Sequence, residues 1–346
     1  VAVAGTHGKS TTAGMIGLIL EQSGQSPSFA VGAEVRDFGT NARLGSGATF
    51  VVEADEYDYS FLHLEPALAV VLNVEHDHPD LFPTPAAVEA AFRRFLERIR
   101  PGGTVVLSGD DPGCRRLANT LALCEVRVVT FGTSGQVDWR VTGGADVRLV
   151  GPDGRAWRLG LRVPGWHNRL NAAAAVAAAA ALGVEPETSL WALEEFSGVG
   201  RRFELWGQGQ GIAVIVDYAH HPSEIRATIA AARERYPGAR LWVIFQPHTY
   251  SRTRAFFGEF AAALGLADQV ILTPVYAARE VDPGDVPLER LALRIVPGPA
   301  RLAASPRAAA QLAAELVEPG DVVLVLGAGD VWKAAPVLLE YLGGRP

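Results

Sequence analysis

Lysine is almost absent from this chain, and methionine and cysteine are scarce as well. Only positions 9 and 333 of the 346 residues are lysine, and the 31 basic side chains are otherwise arginine. Arginine and lysine are not interchangeable, because lysine offers a compact point charge on a flexible stem. In a chain that otherwise uses arginine, a lysine inside a glycine-rich stretch indicates a site that needs this side chain.

The two cysteines, Cys114 and Cys124, form neither a C-x-x-C pair nor a secreted-protein framework, so we expect no disulfide and a reducing, cytoplasmic location. The longest apolar run, residues 172–184, is rich in alanine and too short to span a membrane. The net charge of −7 argues against a nucleic-acid or anionic-membrane partner. None of these features determines the oligomeric state.

The hydrophobic pattern predicts an α/β fold with two domains. Apolar strands alternate with helical segments such as 86–99, which is typical of a mostly parallel sheet covered on both faces; these strands are predicted at 1–4, 50–52, 67–72 and 104–107. Residues 125–161 instead show short alternating strands, which we interpret as a hairpin-type insertion with a turn at 151–154.

The alternation resumes after a break near residues 196–200, with strands predicted at 213–216, 241–245, 270–272 and 322–325. We therefore expect a central phosphate-loop domain at 1–197, followed by a smaller, doubly wound, Rossmann-like domain at 198–346. Polar residues that end such strands are expected to share one edge of each sheet.

The first dozen residues form a phosphate-binding pattern. A short apolar strand leads into Gly5-Thr-His-Gly-Lys-Ser10, after which a helix begins. The usual loop is G-x-x-x-x-G-K-[ST], but position 3 is valine, so only G-x-x-G-K-S is present. A plain glycine turn with a surface lysine is the alternative. We expect Lys9 on an exposed loop beside a bound anion.

Two acidic clusters follow neighbouring predicted strands. Glu53 ends the strand 50–52, and its carboxylate with the Ser10 hydroxyl would suit Mg²⁺, unless the segment is only a solvated acidic loop. His76 and His78 follow the strand 67–72. They indicate either part of a zinc hydrolase site or a contact from a single histidine to a second hard cation.

Polar side chains also cluster farther along the chain. His167, Asn168 and Asn171 begin a helix, where the amides could bind a base edge or Asn168 could simply cap the helix.

In the second half, Arg201 and Arg202 are predicted on opposite faces of a strand, and Asp217 ends the next one. His248 and Arg252 could bind a small anion such as an amino-acid carboxylate, unless these loops are merely solvated.

These motifs resemble the Mur ligase family over almost the whole chain. The segments that carry the resemblance are G-T-H-G-K-S at 5–10, E-A-D-E-Y-D at 53–58, N-V-E-H-D-H-P-D at 73–80, H-N-R-L-N at 167–171, G-R-R-F-E at 200–204, D-Y-A-H-H-P at 217–222, Q-P-H-T-Y-S-R-T at 246–253 and Y-A-A-R-E at 276–280. Together they are far more specific than the phosphate-loop pattern alone.

The resemblance implies a role for each matching residue. The ATP phosphates would be held by the loop residues Gly5, Thr6, His7, Gly8, Lys9, Ser10 and Thr11. Mg²⁺ would be held by Ser10 and Glu53, with a second ion at His78. The nucleotide site would also include His167, Asn168, Asn171, Arg202 and Asp217, and the amino-acid side would contain Tyr218, His220, His248 and Arg252. The residues implied to be catalytic are Lys9, Glu53, His78, Arg202 and Asp217.

The implied activity is that of an ATP-dependent ligase of peptidoglycan synthesis, which joins L-alanine to UDP-N-acetylmuramate through an acyl phosphate. The alternatives are a recycling ligase that attaches a whole stem peptide and a non-catalytic nucleotide-binding module. The Q-P-H-T stretch at 246–249 favours the alanine enzyme.

Two departures from the family pattern matter. No lysine lies between positions 9 and 333, so the carbamylated lysine that bridges a metal in several relatives has no counterpart, and His78 with water would serve instead. The family also has an N-terminal domain that binds UDP, whereas this chain begins at the phosphate-loop strand. We therefore expect a preceding segment, and expect the chain alone to bind ATP·Mg²⁺ but to ligate poorly.

Overall fold

The structure is a computed structural model that describes residues 1–121, 125–144 and 146–344. Cys124, which entered the disulfide expectation, lies outside this range. The chain divides into two compact units, Val1–Gly200 and Arg201–Pro346, whereas the sequence placed the boundary after residue 197. None of the helices in the described ranges is both long and apolar enough to cross a bilayer.

The first unit is built on one ten-stranded sheet. Its strands are β1 (Ala2–Ala4), β2 (Ser28–Val35), β3 (Thr40–Arg43), β4 (Phe50–Glu53), β5 (Leu68–Val71), β6 (Thr104–Ser108), β7 (Arg127–Gly132), β8 (Trp139–Thr142), β9 (Arg148–Val150) and β10 (Ala156–Arg158). Their order is β10-β9-β8-β7-β6-β5-β1-β4-β2-β3. The strands from β2 through β8 in this order pair in parallel, and antiparallel hairpins form the two ends of the sheet.

Helices cover both faces of this sheet. They are α1 (Lys9–Gln22), α2 (Pro85–Leu96), α3 (Pro112–Leu121), α4 (Trp166–Ala181) and α5 (Pro186–Glu195), with a 3₁₀ segment at Tyr57–His63. One buried core contains α1, α4 and α5, and the other contains α2, α3 and the 3₁₀ segment. The alanines of α4 are small enough for this helix to pack closely against α1, whose apolar residues are buried on nearly every side.

The second unit has a six-stranded sheet. Its strands are β11 (Glu204–Gly209), β12 (Ile212–Asp217), β13 (Leu241–Phe245), β14 (Gln269–Leu272), β15 (Arg301–Leu302) and β16 (Val322–Leu326), in the order β11-β12-β16-β13-β14-β15. All neighbours are parallel except β11 and β12. Near-continuous Val, Ile and Leu in β12, β13 and β16 fit strands buried on both faces.

Helices again lie on both faces of the sheet. They are α6 (Pro222–Arg235), α7 (Tyr250–Ala255), α8 (Phe257–Leu264), α9 (Leu288–Arg294), α10 (Pro306–Leu316) and α11 (Ala334–Tyr341), with a short 3₁₀ turn at Val331–Lys333. Helices α6, α8 and α9 enclose one core, and α10 and α11 enclose the other. Local signals begin several of these helices: Ser305 caps α10 by accepting a hydrogen bond from Ala308 N (3.1 Å), and Pro306 follows at the first helical position.

The α/β fold class is confirmed, with a mostly parallel sheet in the first unit and a doubly wound sheet in the second. Two details differ from expectation. Strands β2, β3 and β15 were not among the predicted strands. In the predicted insertion, β7 instead extends the main sheet by pairing in parallel with β6, whereas β8, β9 and β10 form the expected antiparallel hairpins. The predicted turn at 151–154 does join β9 to β10, where Gly154 N donates to Gly151 O (3.0 Å).

Candidate active site

The phosphate-loop pattern lies at the centre of the first sheet. Strand β1 pairs with β4 on one side and β5 on the other, so the segments that follow these three strands are neighbours. Gly5 and Gly8 have positive φ angles of 140° and 86°, which favour glycine. Asn73, after β5, holds the loop: its Oδ1 accepts from His7 N (2.8 Å) and its Nδ2 donates to His7 O (3.1 Å).

Helix α1 begins at Lys9, directly after the loop. Within the described ranges, no side chain caps its N-terminus, and its first turn contains no acidic residue. The backbone N–H groups there therefore retain their capacity to bind an anion, and the helix dipole favours negative charge at this end. Ser10 and Thr11 are buried in this first turn, and Thr6 accepts a hydrogen bond from Glu75 N (2.9 Å) at its hydroxyl.

Lys9 is paired and mostly buried, so the expectation of an exposed loop lysine is wrong. Its side chain is 12% exposed, and its Nζ donates to Glu56 Oε2 (2.7 Å) and lies 3.4 Å from Asp55 Oδ1. Burial lowers the pKa of Lys9, but the carboxylates of Glu56 and Asp55 outweigh burial and raise this pKa above its ordinary value. Burial raises the pKa of Glu56, although the neighbouring Lys9 ammonium acts in the opposite direction. Of these two shifts, the raised pKa of Lys9 describes the pair, because an ammonium beside two carboxylates keeps its proton.

Ser10 and Glu53 meet, as the magnesium hypothesis requires. Ser10 Oγ donates to Glu53 Oε2 (2.8 Å), and the same oxygen accepts from Gly32 N (2.7 Å) on β2. A hydroxyl and a carboxylate at the end of a strand, beside an anion-binding helix terminus, are the hard oxygen donors that Mg²⁺ prefers. The residues therefore fit a magnesium ion bound with phosphates.

The two histidines after β5 have different environments. His76 Nε2 lies 2.8 Å from Phe82 O, so this ring is engaged with a carbonyl. The ring of His78 packs 4.9 Å from that of Tyr57, and its backbone has a positive φ of 52°. Within the described ranges, neither His76 nor His78 belongs to a cluster of three possible metal-ligand side chains, so these histidines do not form the zinc site that the hydrolase alternative requires. His7 Nε2 lies 3.6 Å from Glu75 Oε2.

Asn171 of α4 lies beside the phosphate loop, and Asn168, one turn earlier in the helix, is hydrogen-bonded to Asn171. Asn168 and Asn171 are buried on one face of the helix, and Asn171 Nδ2 donates to Asn168 Oδ1 (3.3 Å). Asn168 Nδ2 donates to Pro164 O (2.7 Å), and Gly165 precedes the helix, so Asn168 is not its N-cap. A Cβ atom on Gly8 would approach Asn171 Oδ1 to 2.7 Å. His167 lies in the same first turn and is half-buried.

In the second unit, Asp217 ends β12 and is buried. Its carboxylate accepts from Phe203 N (2.8 Å) and Ala219 N (2.7 Å). Burial raises the pKa of Asp217 to about 6, although Arg202 and these N–H donors act in the opposite direction. The prediction that Arg201 and Arg202 lie on a strand is wrong, since β11 begins at Glu204. Both guanidinium groups lie over the ring of Tyr218, 4.9 Å and 5.3 Å from its centroid.

The residues predicted to bind the amino acid lie together in the second unit. The ring of His220 is 5.4 Å from Tyr218 and 5.8 Å from His248. Arg252, which is 3% exposed, lies with Nη1 3.0 Å from His248 Nδ1. Arginine can only donate, so His248 Nδ1 accepts, and in a neutral ring the proton is on Nε2. His220 Nδ1 lies 2.9 Å from Tyr218 O and 3.3 Å from Glu224 Oε2, so this nitrogen carries a proton.

Comparison with known proteins identifies the family. The family model described as "Mur ligase middle domain" matches residues 3–179, and the one described as "Mur ligase, glutamate ligase domain" matches residues 201–329. The chain belongs to the Mur ligase family. A UDP-N-acetylmuramate–L-alanine ligase from Paenarthrobacter aurescens is 48% identical over 99% of this chain and 75% of its own length. The corresponding ligase from Mycolicibacterium smegmatis is 46% identical over 98% of this chain and 72% of its own length.

Solved structures of Mur ligases agree with this assignment. The crystal structure of the UDP-N-acetylmuramate–alanine ligase from Thermotoga maritima is similar with a TM-score of 0.79 and 29% identity, over 98% of this chain and 74% of that one. A murein peptide ligase from Psychrobacter arcticus has a TM-score of 0.73 and 27% identity, over 99% and 77% of the two chains.

Three residues outside the predicted set hold the candidate site residues in place, two of them in the first unit and one in the second. Asn73 fixes the backbone of His7, Glu56 pairs with Lys9, and Glu280 accepts hydrogen bonds from the first turn of α7. Glu56 lies three residues after Glu53, and Asn73 lies just after β5. Both follow strands that neighbour the phosphate-loop strand β1, and this position is the sequence signal that could have identified them. Glu280 is far from α7 in sequence, and no local pattern links the two.

Proposed function

We propose that this chain is an ATP-dependent ligase of peptidoglycan synthesis that joins L-alanine to UDP-N-acetylmuramate. The observation that carries the proposal is the identity of 46–48% to ligases named for this reaction, over nearly the whole chain. Each unit has polar side chains at its strand ends that suit such a reaction. The first unit has an anion site with a buried lysine, and the second has a cluster of aromatic and imidazole rings with an arginine. A cytoplasmic location stays a prediction.

In the proposed reaction, an oxygen of the lactyl carboxylate takes the γ-phosphoryl group of ATP, giving ADP and an acyl phosphate. The amine of L-alanine then attacks the acyl carbon, the amide bond forms, phosphate leaves, and the amine gives up a proton. Negative charge accumulates first on the transferred phosphoryl oxygens and then on the tetrahedral carbon's oxygen. Both steps therefore need fixed cationic or N–H groups.

The first unit would bind the nucleotide. The N–H groups that begin α1 and the Lys9 ammonium would hold the phosphates, and Asn168 and Asn171 of α4 would complete the site beside the loop. Ser10 and Glu53 would hold Mg²⁺, with His78 as the contact to a second ion. When bound, the metal supplies charge neutralisation at the phosphoryl oxygens. Gly5 and Gly8 fit this assignment, because a Cβ atom on either would crowd Leu72 or Asn171.

The second unit would bind the amino acid and the acyl phosphate that it attacks. Arg252 is buried and oriented through His248, which suits a carboxylate. Tyr218 and His220 lie beside it, and Arg202 with Asp217 would contribute to the phosphate and ribose sides of the nucleotide. The proposed roles of Arg202 and Asp217 are supported by their motif positions and by their shared environment around Tyr218.

The deciding experiment is an amino-acid-dependent phosphate-release assay on the intact protein, with UDP-N-acetylmuramate and ATP·Mg²⁺. We expect L-alanine to stimulate release strongly and the stem tripeptide to have little effect. Stimulation by the tripeptide alone would favour the recycling ligase. ATP binding by calorimetry with no amino-acid-dependent release would favour the non-catalytic module.

A further inference from the structure

The loop that carries His248 and Arg252 has a strained backbone. It follows β13 and leads into α7, and Thr249, between the two, has a φ of 63°. A threonine costs free energy in this left-handed region and stays there only when its surroundings hold it. The Thr249 hydroxyl accepts from Arg252 N at the long distance of 3.4 Å, which is a weak restraint.

A second segment, residues 276–280 after β14, is joined to this loop. His248 and Tyr276 form a parallel bridge: Thr249 N donates to Tyr276 O (2.9 Å), and Tyr276 N donates to Pro247 O (2.8 Å). The ring of Tyr276 stacks on that of His248 with 5.7 Å between centroids. The segment closes on itself through Glu280 N, which donates to Ala277 O (2.9 Å).

Glu280 binds the first turn of α7. Its Oε2 accepts from Tyr250 N (2.6 Å) and Ser251 N (2.9 Å), and its Oε1 accepts from the Ser251 hydroxyl. Burial alone would raise the pKa of Glu280, but the hydrogen bonds from Ser251 and Tyr250 lower it below its ordinary value. The carboxylate thus satisfies two backbone donors that a helix start leaves without an internal partner.

We propose that Glu280 is a positioning residue for amino-acid binding, because its carboxylate holds the first turn of α7 and thereby sets the direction of Arg252 and the tautomer of His248. Arg252 is the third residue of this turn, so a shift of the turn moves its guanidinium group away from His248 Nδ1. This inference rests on the proposed function, in which Arg252 and His248 bind L-alanine.

The Michaelis constants of Glu280→Ala and Glu280→Gln test this inference in the intact protein. Glutamine has nearly the shape of glutamate and can still accept from the two backbone donors, whereas alanine removes all three bonds. We expect Glu280→Ala to raise the KM for L-alanine at least about tenfold, and Glu280→Gln to raise it roughly threefold. The KM for ATP should stay within about twofold of wild type, because Glu280 holds the first turn of α7, and no residue of that turn is assigned to the nucleotide. Glu289→Gln, an exposed glutamate on α9, is the matched control.

Hydrogen exchange provides a readout that needs no activity. In the 346-residue chain, peptides covering residues 248–256 should exchange at least about tenfold faster in Glu280→Ala than in wild type or Glu289→Gln. Unchanged exchange, or an unchanged KM for L-alanine in the folded variant, would overturn the inference. If Glu280→Ala fails to fold, Glu280→Gln decides by the same two measurements.

Arg252→Ala separates this inference from the proposed function. If Arg252→Ala raises the KM for L-alanine and the Glu280 variants do not, Glu280 has no positioning role and the proposed function stands. If Arg252→Ala leaves that KM unchanged in a folded protein, the amino acid is bound elsewhere. The proposed site and this inference then fail together.

Discussion

In the first unit the strand-end segments are joined by buried charges, whereas in the second they are joined mainly by stacked rings and backbone hydrogen bonds. Lys9 with Glu56, and Ser10 with Glu53, connect the segments after β1 and β4. His248 on Tyr276, and Glu280 on the start of α7, connect those after β13 and β14. The first arrangement depends on charge balance and the second on shape. Substitutions that alter charge should therefore damage the first unit more, and those that alter volume or backbone should damage the second.

Lys9→Ala should have the largest effect. It removes the cation beside the proposed phosphates, so we expect turnover to fall at least about 100-fold. It also leaves Glu56, which is 2% exposed, without its cation, so the free energy of unfolding should fall by about 3 kcal/mol. Lys333→Ala removes an exposed lysine and should change neither quantity measurably. Near-normal phosphate release by Lys9→Ala would refute the nucleotide assignment.

Asp217→Asn tests a buried carboxylate of the second unit whose pKa is raised. The folded pKa of about 6 exceeds the ordinary 3.8, so the folded protein binds this proton more tightly than the unfolded chain. The contribution of Asp217 to the free energy of unfolding is therefore fully present below about pH 4, where the group is protonated in both states, and it is lost as the pH rises through 6. The unfolding free energy of wild type relative to Asp217→Asn should therefore drop by roughly 2 kcal/mol between pH 4.5 and 7.5.

Denaturant titrations of both proteins at the two pH values measure this difference, and titrating groups shared by the two chains cancel. A difference that does not change with pH would mean that Asp217 is ionised in the folded state at little cost. The second unit would then tolerate a buried charge as the first does.

Glu53→Ala and His78→Ala should raise the Mg²⁺ concentration needed for half-maximal activity, by about tenfold for Glu53. Each variant removes a proposed metal contact while leaving α4 and its asparagines in place. Excess Mg²⁺ should restore activity only in part. Glu97→Ala, an exposed residue at the end of α2, should leave the Mg²⁺ dependence as in wild type. An unchanged Mg²⁺ dependence in both variants, together with inhibition by a zinc chelator, would revive the hydrolase alternative.

Two glycines offer the mildest test of the comparison. A Cβ atom on Gly8 would approach Asn171 Oδ1 to 2.7 Å, and one on Gly329 would approach Gln246 Oε1 to 2.4 Å and Tyr276 Cγ to 2.5 Å. We expect Gly8→Ala to weaken ATP binding and Gly329→Ala to raise the KM for L-alanine, each about fivefold. Gly258→Ala, where the added atom meets open space, is the control. If both variants impair the same substrate, the assignment of Gly8 to the nucleotide side and of Gly329 to the amino-acid side is wrong.

Much of the first site could be predicted because its residues are encoded locally. The glycine turn before Lys9 and the carboxylate at the end of the strand 50–52 are visible in short windows of sequence. Parallel strands bring their carboxyl ends to one edge, so the contact between Ser10 and Glu53 followed from the fold class. The cluster of His248 and Arg252 also followed from position at a strand end.

Only the tertiary structure decided the other contacts that hold these groups. The order β5-β1-β4 brings Asn73 and Glu56 to the phosphate loop, and the pairing of β13 with β14 places Glu280 at the start of α7. Short windows of sequence indicate which residues end a strand, because hydrophobic periodicity is local. Which strands become neighbours depends on how the faces of the whole sheet pack against the helices. The free energy of that burial comes from residues far apart in the chain. The buried state of Lys9 and the role of Glu280 follow from that packing.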